Sequence, residues 1–160
     1  MYNQVMTDSK TESQLLIDFF SSEICQKATR PLKNGIEIGI YIDGSEPLTL
    51  TKQKGTITLV HQPPQKADMS FWIGKQGVKT LVSTQTEDIG EIGVAIIKLM
   101  LSSDPETRLR SQVHIGTLQL ITHGYLGVLP LGGPTVMKFL ASKGFSNISK
   151  IKEAISQLRG

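Results

Sequence analysis

The chain has 160 residues, of which 39% are hydrophobic and 19% are charged, and its formal net charge is +3. This composition excludes a disordered or fibrous protein, and the length predicts one domain, spanning residues 1–160, with a single core. Because the basic residues form no unbroken run, we expect their side chains to lie on solvent-exposed surfaces of the protein. Transient contact with an anionic membrane surface is favoured over nucleic-acid binding.

The cysteine content and the two ends of the sequence bear on its compartment. Cys25 is the single cysteine, which excludes an internal disulfide and a cysteine metal cluster. The first residues lack a basic region followed by an apolar run, and the last residues are not a retention or peroxisomal signal. We therefore expect a cytoplasmic protein.

The first element is predicted to be a helix over residues 9–27, with Asp8 or Ser9 as its N-cap. Pro31 and the Asn34–Gly35 pair end it. Its apolar side chains recur at helical spacing and belong to Leu15, Leu16, Phe19, Phe20 and Ile24.

From Gly35 the apolar spacing changes to two, which predicts strands. Three of them, separated by turns at residues 43–45 and 53–55, form a meander. A fourth follows over residues 68–73, and a fifth runs from Arg108 to Ile115. Short links predict antiparallel neighbours, and His61 and His114 are expected on solvated strand faces.

Two helices are predicted between the last two strands. The first is short and carries Val78, Leu81 and Val82, and the second runs from Glu87 to Leu101 after an N-cap within residues 83–86. Gly90 and Gly93 lie in the second helix, where each costs about 1 kcal/mol relative to alanine. We therefore expect them to admit a close neighbour or a ligand.

The segment from Gln112 to Phe145 is the most apolar part of the chain, with no charged side chain between Arg110 and Lys138. Prolines and glycines interrupt every window long enough to span a membrane, so we interpret it as buried in protein. It predicts two short helices separated by a glycine break, followed by an amphipathic C-terminal helix over residues 146–158.

The sequence contains no recognisable catalytic or cofactor motif. His61, His114 and His123 lack partners at metal-ligand spacing, and His123 is expected to be a hydrogen-bonded helix residue. No phosphate-loop pattern or nucleophile elbow occurs. We therefore predict neither an enzyme nor a metal or cofactor site.

The helices and one face of the sheet offer more apolar side chains than a single stripe per element requires, which fits either a filled core or a ligand cavity. The predicted lining of such a cavity is Phe71, Ile73, Val78, Leu81, Ile92, Ile96, Leu99, Met100, Leu118, Ile121, Tyr125, Leu129, Met137 and Leu140.

The order of these elements, with the strand DMSFWI and the passage VHIG followed by TLQLITHGYLGVLPLGG, resembles the sterol carrier protein 2 family. The resemblance implies an α+β fold, with a five-stranded, mainly antiparallel, curved sheet covered by helices. It also implies a tunnel for fatty acids, acyl-CoA or other lipids, bound without covalent chemistry.

A polar headgroup at the mouth of that tunnel would be met by Lys75, Arg108 or Arg110. The alternative function is a protein–protein module or homodimer that uses the glycine-rich apolar segment 116–140.

Overall fold

The computed structural model describes residues 10–144 together with Lys150 and Glu153. The predicted C-terminal helix over residues 146–158 lies outside this part of the chain apart from those two residues. The helices are α1 (Glu12–Phe20), α2 (Glu23–Ala28), α3 (Lys75–Val82), α4 (Ile89–Leu101), α5 (Thr117–Thr122) and α6 (Gly133–Ser142), with 3-10 turns at Tyr125–Gly127 and Leu129–Gly132. The strands are β1 (Glu37–Ile42), β2 (Leu48–Gln53), β3 (Thr56–Val60), β4 (Met69–Ile73) and β5 (Leu109–Val113).

The five strands form one sheet in the order β3-β2-β1-β4-β5. Three of the four pairings are antiparallel, and β4 runs parallel to β1. The predicted α+β class and mainly antiparallel sheet are therefore confirmed.

The one parallel pair, between β1 and β4, was not predicted from the short links. The link after β3 carries the chain back beyond β1, where the amide of Asp68 donates to the carbonyl of Glu37 at 2.7 Å. Thr49 Oγ1 holds this link to β2 by donating to the carbonyl of Gln62 at 2.6 Å. A link of this length allows β4 to start at the same end of the sheet as β1, which makes the pair parallel.

The predicted first helix is divided into two. Thr11, rather than Asp8 or Ser9, is the N-cap of α1, because its side chain accepts a hydrogen bond from the amide of Gln14. Ser22 caps α2 in the same way by accepting from the amide of Cys25. The two helices are therefore separate, and Cys25 of α2 is buried.

Helix α4 begins later than the sequence suggests. Asp88 is its N-cap and accepts from the amide of Gly90 at 2.8 Å, so Glu87 lies outside the helix. A Cβ on Gly90 would collide with the carbonyl oxygen of Gly132. Gly90 therefore admits a close neighbour, as expected, and that neighbour is the start of α6.

One face of the sheet carries the core, and we call it the inner face. Its buried apolar strand residues form one cluster with Leu16 of α1, Val78 and Leu81 of α3, and Leu99 of α4. The opposite, outer face carries the residues of the other parity, including Tyr41, Trp72 and Arg110. Among the described residues, no helix is both long and apolar enough to cross a membrane.

Candidate functional site

An apolar cavity of about 90 Å³ lies between the inner face of the sheet and helices α1, α3 and α4. In the strands the lining side chains belong to the alternate positions that face inward, and in the helices apolar side chains recur every three to four residues on the inward side. The wall presents no polar surface. The residues that line it are Leu16, Phe20, Ile40, Phe71, Ile73, Leu81, Ile96 and Leu109.

The cavity is a cleft rather than a sealed void. Phe20, Phe71 and Ile96 are only partly buried, whereas Leu16 and Ile73 are 2% and 4% exposed. The partly exposed side chains mark the side that opens to solvent. An apolar molecule can therefore reach the buried end from that side.

The predicted lining residues fall into several groups in the structure. Phe71, Ile73, Leu81 and Ile96 do line the cavity. Val78, Ile92, Leu99 and Leu140 are buried but do not line the cavity. Met100 is partly buried against the main core.

The remaining predicted lining residues come from the segment 116–140. Leu118, Ile121 and Met137 are 72%, 47% and 39% exposed. Tyr125 packs against the main core through its ring, while its hydroxyl is hydrogen-bonded to Asp68. Leu129 lies in the second 3-10 turn. Leu118, Ile121, Tyr125 and Met137 are not among the residues that line the cavity.

Sequence reasoning did not assign Leu16, Phe20, Ile40 and Leu109 to the cavity. The helical spacing already placed Leu16 and Phe20 on the apolar stripe of a helix, and Ile40 and Leu109 lie in segments that were predicted to be strands. What the patterns could not show is that α1 packs over the inner face beside α3. That relationship depends on tertiary packing.

The three predicted headgroup cations are exposed. Lys75 lies over the β1–β2 turn, with its side chain near Gly44. Arg108 precedes Leu109, so it is one residue from the cavity wall. Arg110 points to the outer face, where its guanidinium group lies 5.3 Å from the centre of the Trp72 ring.

On the outer face, the indole ring of Trp72 is flanked by an aromatic and a cationic side chain. Tyr41 stacks on the ring at a centroid distance of 5.5 Å, and Arg110 packs against it from the neighbouring strand on the other side. Both faces of the indole are therefore occupied. A nucleic-acid base would have to displace one of them to stack there.

Polar side chains converge at the N-terminal end of β4. Asp68, which is 7% exposed, accepts a hydrogen bond from Tyr125 at 2.7 Å and lies 2.8 Å from His123 Nδ1. Ser70 Oγ lies 2.8 Å from His114 Nε2. His123 is thus hydrogen-bonded, as predicted. The described residues contain no group of three side chains placed to hold a metal ion.

A larger cleft of about 570 Å³ lies between α3, α4 and α6. Its wall mixes apolar side chains with threonine and serine hydroxyls and with the charged groups of Glu91 and Lys98. Such a wall is well solvated by water, so the chemical preference for an apolar occupant is stronger in the smaller cavity.

Comparison with known proteins gives a likeness to a solved structure. No family model and no curated protein sequence matches the chain. Over 75% of its length the chain is similar to a solved structure described as "UbiJ-SCP2 Ubiquinone synthesis protein", covering 86% of that chain at 16% sequence identity and a TM-score of 0.40. At that TM-score the likeness carries no conclusion about ligand or activity.

Proposed function

We propose that this protein binds an apolar molecule, such as a fatty acid, an acyl-CoA or another lipid, non-covalently in the cavity between the inner face and α1, α3 and α4. The observation that carries the proposal is the wholly apolar wall of an open cavity. The resemblance to the sterol carrier protein 2 family supports the same class of ligand. The compartment that we propose is the cytoplasm, with a membrane surface as a transient source of ligand.

The size of the cavity limits how much affinity it supplies. Filling about 90 Å³ of empty apolar volume recovers about 2 kcal/mol, on the order of 24 cal/mol per Å³. Each further methylene buried adds about 0.8 kcal/mol. A tightly bound ligand therefore extends beyond the cavity, over the partly exposed side chains of Phe20, Phe71 and Ile96.

Two measurements test this proposal. Native mass spectrometry and organic extraction of the purified protein should reveal a co-purified lipid, and a fluorescent fatty acid should bind. Ile96→Trp fills the cavity from α4 and should weaken fatty-acid binding about tenfold or more, because it removes the roughly 2 kcal/mol of cavity filling.

Leu118→Trp is the matched control, since Leu118 was a predicted lining residue but is 72% exposed and does not line the cavity. It should leave the affinity unchanged. A protein that contains no lipid and binds no fatty acid would refute the proposal. Equal loss in both variants would place the site elsewhere.

A second candidate function, a protein–protein contact through segment 116–140, is favoured by the exposed apolar side chains of that segment. Leu118, Ile121, Leu131 and Met137 are each at least 39% exposed. Contiguous exposed apolar surface commonly marks an interaction site. If a homodimer forms there, the apparent mass in size-exclusion chromatography should rise with concentration, and Leu118→Asp should abolish that rise without affecting fatty-acid binding.

A further inference from the structure

Helix α5 presents two large apolar side chains to solvent. Leu118 and Ile121 are 72% and 47% exposed, whereas Leu120 of the same helix is 3% exposed. Side chains three positions apart lie on one face of a helix, so Leu118 and Ile121 form an apolar face that points away from the core. No charged residue occurs between Arg110 and Lys138, so this face lies in an uncharged part of the chain.

Two exposed cations lie beside the end of α5. The amide of Lys33 donates to the carbonyl of His123, the residue that follows α5, at 3.0 Å. A Cβ on Gly124 would meet the carbonyl oxygen of Pro31, so the chain on both sides of this contact is in close approach. Arg30 and Lys33 flank Pro31 and are both exposed. The apolar face of α5 and these cations therefore occupy neighbouring parts of the surface.

The positive charge of this region is not neutralised by neighbouring acids. Lys52, which is 5% exposed, donates from Nζ to the carbonyls of Thr29 and Arg30 at 3.1 and 2.9 Å. Burial, followed by the charges of Lys33 and Arg30, lowers the pKa of Lys52. In the part of the chain that the structure describes, none of these three cations forms an ion pair with a carboxylate. Asp68, near the end of α5, is 7% exposed and adds little negative surface. The region therefore favours an anionic partner.

We propose that this surface docks on an anionic lipid bilayer, with Leu118 and Ile121 inserted among the headgroups and Arg30 and Lys33 paired with lipid phosphates. Apolar side chains on a helix and nearby cations act together at such an interface, because the first are buried and the second meet the negative surface potential. A second copy of the chain would bring the same cations to the contact, whereas the bilayer supplies the opposite charge. The inference goes beyond the cavity and does not depend on it.

Vesicle flotation tests this docking surface. The full chain should float with vesicles of phosphatidylcholine and phosphatidylglycerol in equal parts, but not with pure phosphatidylcholine, and added salt should weaken the flotation. Leu118→Ser should lower the affinity for the anionic vesicles about tenfold, because it removes apolar surface that the bilayer buries. Lys33→Gln should lower it about fivefold, the contribution of one cation near an anionic surface.

Each variant has a matched control elsewhere in the molecule. Leu101 is 55% exposed at the end of α4, and Lys75 is exposed beyond the end of β4 that lies opposite Asp68. Leu101→Ser and Lys75→Gln should each leave the affinity for anionic vesicles within about twofold, since a charge farther from the bilayer than the screening length has little effect. All four substitutions are at exposed positions, so the melting temperatures should stay within about 2 °C of that of the unmodified protein.

The outcomes separate this inference from the proposed cavity function, which is judged by fatty-acid binding without vesicles. Absence of flotation with anionic vesicles would overturn the docking surface and leave the cavity untouched. Equal flotation with both kinds of vesicle, or equal losses in Leu118→Ser and Leu101→Ser, would also overturn it. A protein that does not float, but whose apparent mass rises with concentration only when Leu118 is present, would overturn it in favour of a second copy of the chain.

Discussion

Asp68 and His123 are separated by 55 positions in the chain, yet Asp68 Oδ2 lies 2.8 Å from His123 Nδ1. The same carboxylate oxygen accepts from the hydroxyl of Tyr125 at 2.7 Å. Asp68 precedes β4, and the other two residues follow α5. These bonds therefore join the apolar segment after β5 to the sheet.

Asp68→Asn should destabilise the protein by about 2 kcal/mol, because it weakens two hydrogen bonds to a buried carboxylate, each typically worth about 1.5–3 kcal/mol. Urea unfolding monitored by circular dichroism measures the change. Asp43→Asn, at an exposed turn position, is the control and should alter the free energy of unfolding by less than about 0.5 kcal/mol. Equal effects would show that the Asp68 bonds contribute little.

Tyr125 should resist ionisation in the folded protein. Burial, followed by the hydrogen bond to Asp68 and the charge of Asp68, raises the pKa of the Tyr125 hydroxyl far above its ordinary value of 10.0. Since the folded state holds this proton more tightly than the unfolded chain, the stabilisation is fully present below the ordinary pKa and is lost as the pH rises above it. In an ultraviolet pH titration, Tyr125 should ionise only as the protein unfolds. In Tyr125→Phe, which lacks the ionisable hydroxyl, the free energy of unfolding should be lower at neutral pH but should fall less steeply as the pH rises above the ordinary pKa. Reversible ionisation of every tyrosine near the ordinary pKa, with the fold intact, would contradict this.

Gly124→Ala should be strongly destabilising. Gly124 adopts φ +91°, and a Cβ there would collide with the carbonyl oxygen of Pro31. The strained backbone alone costs on the order of 1–2 kcal/mol, and the collision adds to it. Thermal unfolding should show a fall of more than about 8 °C for this combined loss.

Gly116→Ala is the control for this effect, since Gly116 has an ordinary φ of −79° and a Cβ there would meet nothing within 4 Å. Its melting temperature should stay within about 2 °C of that of the unmodified protein. Comparable losses at both glycines would point to a general effect of substitution in this segment.

Cys25 should react with alkylating reagents only when the protein unfolds. The thiol is 2% exposed, and burial raises its pKa, which lowers the fraction of reactive thiolate at any given pH. Labelling by iodoacetamide at pH 8, followed by mass spectrometry, should therefore be slow in buffer and complete in concentrated urea. Rapid labelling of the folded protein would show that α2 opens readily.

The strands illustrate how far local patterns go. Alternation of apolar residues predicted all five strands and placed Phe71 and Ile73 among the lining residues, because a strand exposes its two faces with a period of two wherever it lies in the sheet. The same alternation carries no information about which strand is the neighbour. It therefore did not predict that β4 runs parallel to β1.

Helix boundaries show a similar division. The apolar stripe predicted α3 and α4, but Asp88 could be recognised as the cap of α4 only once its side chain was seen to accept from the amide of Gly90. Several residues before α4 have the chemistry of a cap. Which one acts as the cap depends on the path by which the chain enters the helix.

The sequence by itself determined the α+β class, the elements of the sheet and the inward side of each, since these follow from periodicity and turn residues that act over a few positions. Only the tertiary structure decided that α1 and α4 both line an apolar cavity and that Leu118 and Ile121 are exposed. These features depend on distances between elements far apart in the chain. Such distances are set by how whole faces pack, which no local pattern records.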